Sequence, residues 1–256
     1  MSVNPEEIIR TLQEENKELR RTVREREEFI RRTFGRYLTD EVLEEILSEK
    51  GEIRIGGERR VVSMLFADMR RSTALSEEMD AADFIRMLNH FFGELIEIIN
   101  AWQGNILDFV GDEIVAVFGA PRQSTYTARD AAGCAVAMQR RMTFVNKWNR
   151  TQGYPEISMG IGLHTGEAIL GNIGSETRTK YDMIGRNVNL ASRVQGYTNG
   201  GQILATEELV EAAGDQVLIN ESGCIWVQPK GIQGKIKLYD IIGFGKQHIP
   251  EAAEND

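Results

Sequence analysis

The chain has 256 residues, 41% hydrophobic and 27% charged, enough for a sizeable core in one large or two small domains. Its net charge of −9 argues against a general nucleic-acid binder, while leaving room for a small anion held by a few local basic groups. No run approaches the roughly 18 apolar residues of a membrane span, and Met1-Ser2-Val3-Asn4-Pro5-Glu6-Glu7 lacks a basic region followed by an apolar one, so a cytoplasmic protein or the soluble part of a longer signalling chain is expected.

In chain order, Asn4-Pro5-Glu6-Glu7 offers an N-cap, a proline at the first helical position and two carboxylates at the positive helix end. Alternate steps of three and four then give Ile9, Leu12, Asn16, Leu19, Val23, Arg26, Ile30 and Thr33, the a/d stripe of a parallel two-stranded coiled coil. Asn16 at an a position can pair with its symmetry mate and favours two strands in one register, whereas Arg26 at a d position weakens the seam. The alternative is a single amphipathic helix lying on its own domain. Residues 1–33 are thus expected to form a dimerisation and signalling helix, and 34–58 a short helix capped by Thr39-Asp40 followed, from Gly51 to Glu58, by a glycine-rich linker or a short hairpin. The main domain is expected over 59–245 and a flexible tail over 246–256.

Within that domain Val61 to Phe66 reads as a buried strand, and Ala81 to Trp102 as an amphipathic helix. Asn105 to Val110 and Ile114 to Phe118 read as hairpin arms joined at Gly111-Asp112-Glu113. A helix over Ala128 to Trp148 follows, then strands Ile157 to Leu163 and Glu167 to Leu170 flanking His164-Thr165-Gly166, then a helix over Asn187 to Gln195. The order β, α, β-hairpin, α, β, β, α, β describes an α+β domain, its mostly antiparallel sheet covered by helices on one side. Cys134 and Cys224 read as reduced thiols without metal-type spacing.

Asp68 ends a buried apolar strand, where an unpaired carboxylate is costly and usually binds a cation, caps a helix or pairs with a base. Asp112 stands at a hairpin tip, where turn chemistry alone would account for it. Together, two aspartates at adjacent strand ends can hold two divalent ions against a triphosphate and leave coordination positions for substrate oxygens and water. No Gly-x4-Gly-Lys-Ser/Thr stretch occurs, which excludes a P-loop enzyme.

Three stretches carry a resemblance: Phe66-Ala67-Asp68, Phe109-Val110-Gly111-Asp112, and Tyr181-Asp182-Met183-Ile184-Gly185-Arg186-Asn187-Val188-Asn189-Leu190-Ala191-Ser192-Arg193. In order and spacing they resemble the signature motifs of class III adenylate and guanylate cyclases, over about Arg59 to Gly243. The resemblance implies a ferredoxin-like nucleotidyl cyclase domain that converts a nucleoside triphosphate to a 3′,5′-cyclic nucleotide and pyrophosphate. It implies Asp68 and Asp112 as ligands of two metal ions, Mg²⁺ or Mn²⁺, with Asn189 orienting the ribose and Arg193 meeting charge that develops on the α-phosphate. Lys230 and Arg178 match phosphate-binding positions. It further implies a homodimer with sites shared between subunits, and the N-terminal helix makes an upstream sensor domain a natural partner.

Base choice is mixed. The two positions that read the purine edge in this family are Asp108 and Asp182 here. Asp182 can accept from adenine N6 and would face guanine O6 acceptor to acceptor, which favours ATP. Asp108 cannot donate to adenine N1 but can accept from guanine N1 and N2, which favours GTP. ATP is the expectation, with guanylate cyclase and a non-catalytic nucleotide-binding signalling module as alternatives.

Overall fold

The computed structural model describes residues 5–35, 43, 55–175, 177–232 and 234–250. The chain forms two compact units, Met1–Ile53 and Arg54–Asp256. In the first, α1 (Pro5–Phe34) is one uninterrupted helix that opens on the proline. Ile9, Leu12, Leu19 and Val23 of its stripe are exposed, and Asn16 Oδ1 accepts a hydrogen bond from Arg20 Nε at 2.7 Å. The expected connector falls mostly outside the described residues; Leu43 within it is helical and buried.

The second unit begins with β1 (Gly56–Met69), so Gly56 to Glu58, expected as linker, are strand. Next come α2 (Ser72–Glu78), α3 (Ala81–Ala101), β2 (Asn105–Val110), β3 (Glu113–Phe118) and α4 (Thr127–Gln152). They are followed by β4 (Met159–Ser175), β5 (Arg178–Ile184), α5 (Arg186–Gly196), β6 (Ile203–Thr206) and α6 (Glu207–Ala213). The described chain closes with β7 (Val217–Ile219), β8 (Ile225–Val227), β9 (Ile236–Phe244) and β10 (Gln247–His248). Local chemistry sets the helix ends: Asp80 Oδ1 accepts from the Ala82 and Asp83 amides at 3.0 and 3.3 Å to cap α3. Gly153, at φ 76°, ends α4 in the left-handed conformation.

The sheet runs β10-β9-β6-β4-β1-β3-β2, with β5 paired to β4 and with β7 and β8 paired to β9. Every pairing is antiparallel except β4 with β6. The fold is α+β, as the order of elements implies. Three further sequence expectations need correction. Residues 157–170 do not form two strands around a His-Thr-Gly turn; β4 runs unbroken through His164, paired along its length with β1 from Met69↔Met159 to Gly56↔Asn172. Helices cover both faces of the sheet. Leu65, Ala67 and Met69 of β1 pack with α3 and α4 residues such as Met87, Phe91 and Met138, while Val62, Met64 and Phe66 share a second core with Ala191 of α5. Finally, β10 lies in the segment expected as a tail and pairs with β9.

Three glycines explain how α5 lies on that second face. A Cβ at Gly162 would collide with the Gln195 backbone, one at Gly160 with the Thr198 side chain and one at Gly166 with the Asn187 amide. Glycines at even spacing on one strand face admit a helix at backbone distance.

Candidate active site

Asp68 follows six buried residues of β1 and is itself half-buried. The β2–β3 turn, with Gly111 at φ 67°, brings Asp112 beside it. Asp112 Oδ2 accepts from the Met69 amide at 3.2 Å, tying the hairpin tip to the strand end. Arg70 Nη2 donates to Asp68 Oδ2 at 2.6 Å, and its Nη1 donates to the Thr198 carbonyl at 3.3 Å.

The electrostatics of this corner are unbalanced. Burial, then the hydrogen bond to Asp112 and that residue's charge, push the Asp68 carboxyl up to about 6, against the pull of Arg70. Glu113 is pushed up to about 7 by burial and by the charges of Asp68 and Asp112. Three carboxylates thus crowd one corner in which Arg70 pairs directly with Asp68, an excess of negative charge that a divalent cation would relieve. Hard oxygen donors of this kind suit Mg²⁺ or Mn²⁺. Among the described residues no three His, Cys, Asp or Glu side chains converge as a ligand set, so substrate oxygens and water would complete the shell of an ion held by Asp68 and Asp112. The residues fit the metals that the sequence implies.

A second group forms around β5. Lys180 Nζ donates to Asp108 Oδ2 at 2.6 Å and to Asp182 Oδ2 at 3.3 Å, so the two candidate base-reading residues meet through a lysine that sequence reasoning missed. Burial would lower the ammonium's pKa, but the two carboxylates more than offset it and the pKa is raised. The β2–β3 ladder shifts register between Ile106 and Asp108, setting Asp108 opposite Val115. Without that shift Asp108 would stand opposite Ile114, whose side chain lies in the α3–α4 core. The bulge therefore keeps a carboxylate out of the main core and turns it toward Lys180.

On α5, Asn189 and Arg193 are four residues apart and share a face. Arg193 Nη1 donates to the Lys230 carbonyl in a short contact, which joins two of the expected phosphate-side residues. Arg178 starts β5 opposite Ser175, and its amide donates to Ser175 Oγ at 3.3 Å. Its side chain is not brought to Lys230 or Arg193 by any described contact. Arg70 and Glu113 were also missed by sequence reasoning, although both adjoin the signature aspartates within two residues.

The family model for the adenylate and guanylate cyclase catalytic domain matches residues 57–243. The chain belongs to this family. It is 31% identical over 216 residues to adenylate cyclase 1 of Rhizobium meliloti (strain 1021), a match covering 82% of this chain and 32% of that protein. Among solved structures, the guanylyl cyclase Cya2 is similar at 39% identity and TM-score 0.74, over 77% of this chain and all of that one (100%). The adenylyl cyclase CyaB from P. aeruginosa is similar at 30% identity and TM-score 0.71, over 75% of this chain and 99% of that one. The chain spans between 32% and 40% of the length of the first curated relatives it matches. Catalytic domains of this family generally use divalent metals. Among the described residues no helix is long and apolar enough to cross a membrane.

Proposed function

We propose that the second unit is a class III nucleotidyl cyclase that takes ATP in preference to GTP, releases pyrophosphate and closes a 3′,5′-cyclic phosphate in sites shared across a homodimer. The observation that carries this reading is the Asp68–Asp112 corner, where two carboxylates are held together at a cost in charge repulsion. Divalent ions held there would activate the ribose 3′-hydroxyl and neutralise the departing pyrophosphate. No nucleophilic side chain is then required.

The protein's own residues position the substrate. Asn189 orients the ribose. Arg193 exchanges a neutral carbonyl partner for a phosphoryl oxygen as negative charge grows on it, the circumstance in which a guanidinium is worth most. Lys230 and Arg178 hold phosphate oxygens, and Asp108 and Asp182 face the base. The exposed stripe of α1 pairs with a second copy as a parallel coiled coil and links the catalytic unit to an upstream sensor domain.

One observation favours a second reading, GTP: the 39% identity to a guanylyl cyclase, together with an acceptor at position 108 where adenine N1 needs a donor. Incubating the protein with each of ATP, GTP, CTP and UTP plus Mn²⁺, beside Asp68→Ala, and identifying the products by mass spectrometry decides between them. Cyclic AMP from the parent and none from the variant is the expected result. Cyclic GMP alone would select the second reading, and no cyclic product from any triphosphate would reduce the domain to a nucleotide-binding signalling module.

A further inference from the structure

The two candidate base-reading positions are both carboxylates, and neither can donate to a purine ring nitrogen. Lys180 lies between them. Residues 180 and 182 fall on the same face of β5 because strand side chains alternate with a period of two. From there the Lys180 ammonium bridges to β2 and binds Asp108 more closely than Asp182, 2.6 against 3.3 Å.

That asymmetry has a chemical consequence. Asp108 has Oδ2 bound by the ammonium and Oδ1 accepting from the Phe109 amide at 2.9 Å, so both its oxygens are engaged and the pair offers the ammonium's remaining N–H groups. Asp182, held more loosely, keeps accepting capacity. The position that would repel adenine N1 therefore becomes a donor, next to an acceptor suited to the adenine N6 amino group. An adjacent donor and acceptor match adenine N1 and N6 in this direction, and guanine, with N1–H and O6, in the opposite one.

We infer that Lys180 is a specificity-determining residue of this cyclase: held by Asp108 and Asp182, it donates to N1 of adenine, with Asp108 positioning it and Asp182 accepting from N6. This rests on the cyclase reading for the location of the base. It removes the conflict at Asp108, whose acidic side chain positions a donor and does not itself read the ring. No local pattern announces the arrangement, since Lys180 and Asp108 are 72 residues apart in the chain.

The test compares ATP with 1-deaza-ATP, which lacks the N1 acceptor, in the parent, Lys180→Met and Lys180→Arg. The parent should prefer ATP over 1-deaza-ATP by about 30-fold in kcat/KM, the size of effect that one hydrogen bond from a charged donor carries. Lys180→Met should lose about the same factor on ATP and discriminate little between the two nucleotides, and Lys180→Arg should recover part of the difference. A Lys180→Met protein that folds and separates ATP from 1-deaza-ATP as strongly as the parent would overturn the inference, because a lysine that merely neutralised two carboxylates would not read N1. Equilibrium binding of both nucleotides gives the same contrast without turnover. A parent that binds with the N1 dependence but forms no cyclic product would reject the cyclase reading and retain the role of Lys180.

Discussion

At the scale of single residues, Arg193 is, on the proposed reading, a group held ready without being committed. Its partner in the free protein is the Lys230 backbone carbonyl, a neutral acceptor that a phosphoryl oxygen outcompetes because hydrogen bonds to ionised acceptors are about twice as strong. If the contact strengthens as charge develops, Arg193→Ala should lower kcat by about 10²–10³ with KM little changed, the range seen when one donor to a developing oxyanion is removed. Arg193→Lys should recover little, since a point charge does not replace a planar fork. Steady-state kinetics with either purine triphosphate checks both. A different residue-scale effect sits behind α5, where His164 is buried and its Nδ1 is 2.7 Å from Thr206 Oγ1. Burial lowers its pKa below the usual 6.5, partly opposed by the charge of Glu208 on α6 and by Asn187. The unfolded chain therefore takes up this proton more readily than the folded one, so the His164 contribution to stability is present above the unfolded pKa and is lost as pH falls below it. Asp68 and Glu113, both raised, act in the opposite sense, relieving the metal-free protein as pH falls through about 7 and 6. Between pH 7.5 and 5.5 the change in unfolding free energy, followed by urea, should be shifted toward greater stability at the acid end in His164→Gln relative to the parent, and an identical change in the two proteins would remove His164 from the acid response.

Among elements, β4 and α5 depend on each other most closely. Gly162 stands where any Cβ would enter the Gln195 backbone, and neither a helix backbone nor a strand inside a sheet can yield by rotating a side chain. Gly162→Ala should destabilise the domain by about 1–3 kcal/mol, as overpacking does. It should also lower activity in protein that remains folded, because the helix pushed outward carries Asn189 and Arg193. Parental turnover in a folded Gly162→Ala protein would show that the position of α5 is not critical. The same glycines account for a misreading of the sequence. Gly166 after His164-Thr165 suggests a turn, yet in β4 it marks a close approach of helix to strand, and a single sequence does not distinguish the two. Asp68 and Asp112 could be singled out from local pattern because each sits at a feature the chain announces, the end of an apolar strand and a tight turn. β5 could not. Arg178, Lys180 and Asp182 alternate with Thr179 and Tyr181, so its polar face hid the strand, and with it the lysine that reaches Asp108.

For the whole molecule, the proposed arrangement makes a claim that no single copy of the chain can satisfy. If Asp68 and Asp112 from one subunit meet Asn189 and Arg193 from another, a two-fold dimer contains two equivalent composite sites. Asp68→Ala should be inactive and Arg193→Ala nearly so when each is alone, since every site in either homodimer carries the lesion. Mixed and allowed to exchange, they form heterodimers in which one site collects both lesions and the other collects none. Random assortment makes half of the dimers mixed, so about a quarter of the sites, and about a quarter of parental activity, should return. Sites contained within one chain would leave the mixture inactive. Recovery should also depend on α1 if its exposed stripe is the seam: the same mixture made from chains lacking residues 1–33 should require higher protein concentration to reach that activity, with a matching fall in mass by analytical ultracentrifugation. Equal recovery at equal concentration would leave the catalytic units to dimerise by themselves and assign α1 a different partner.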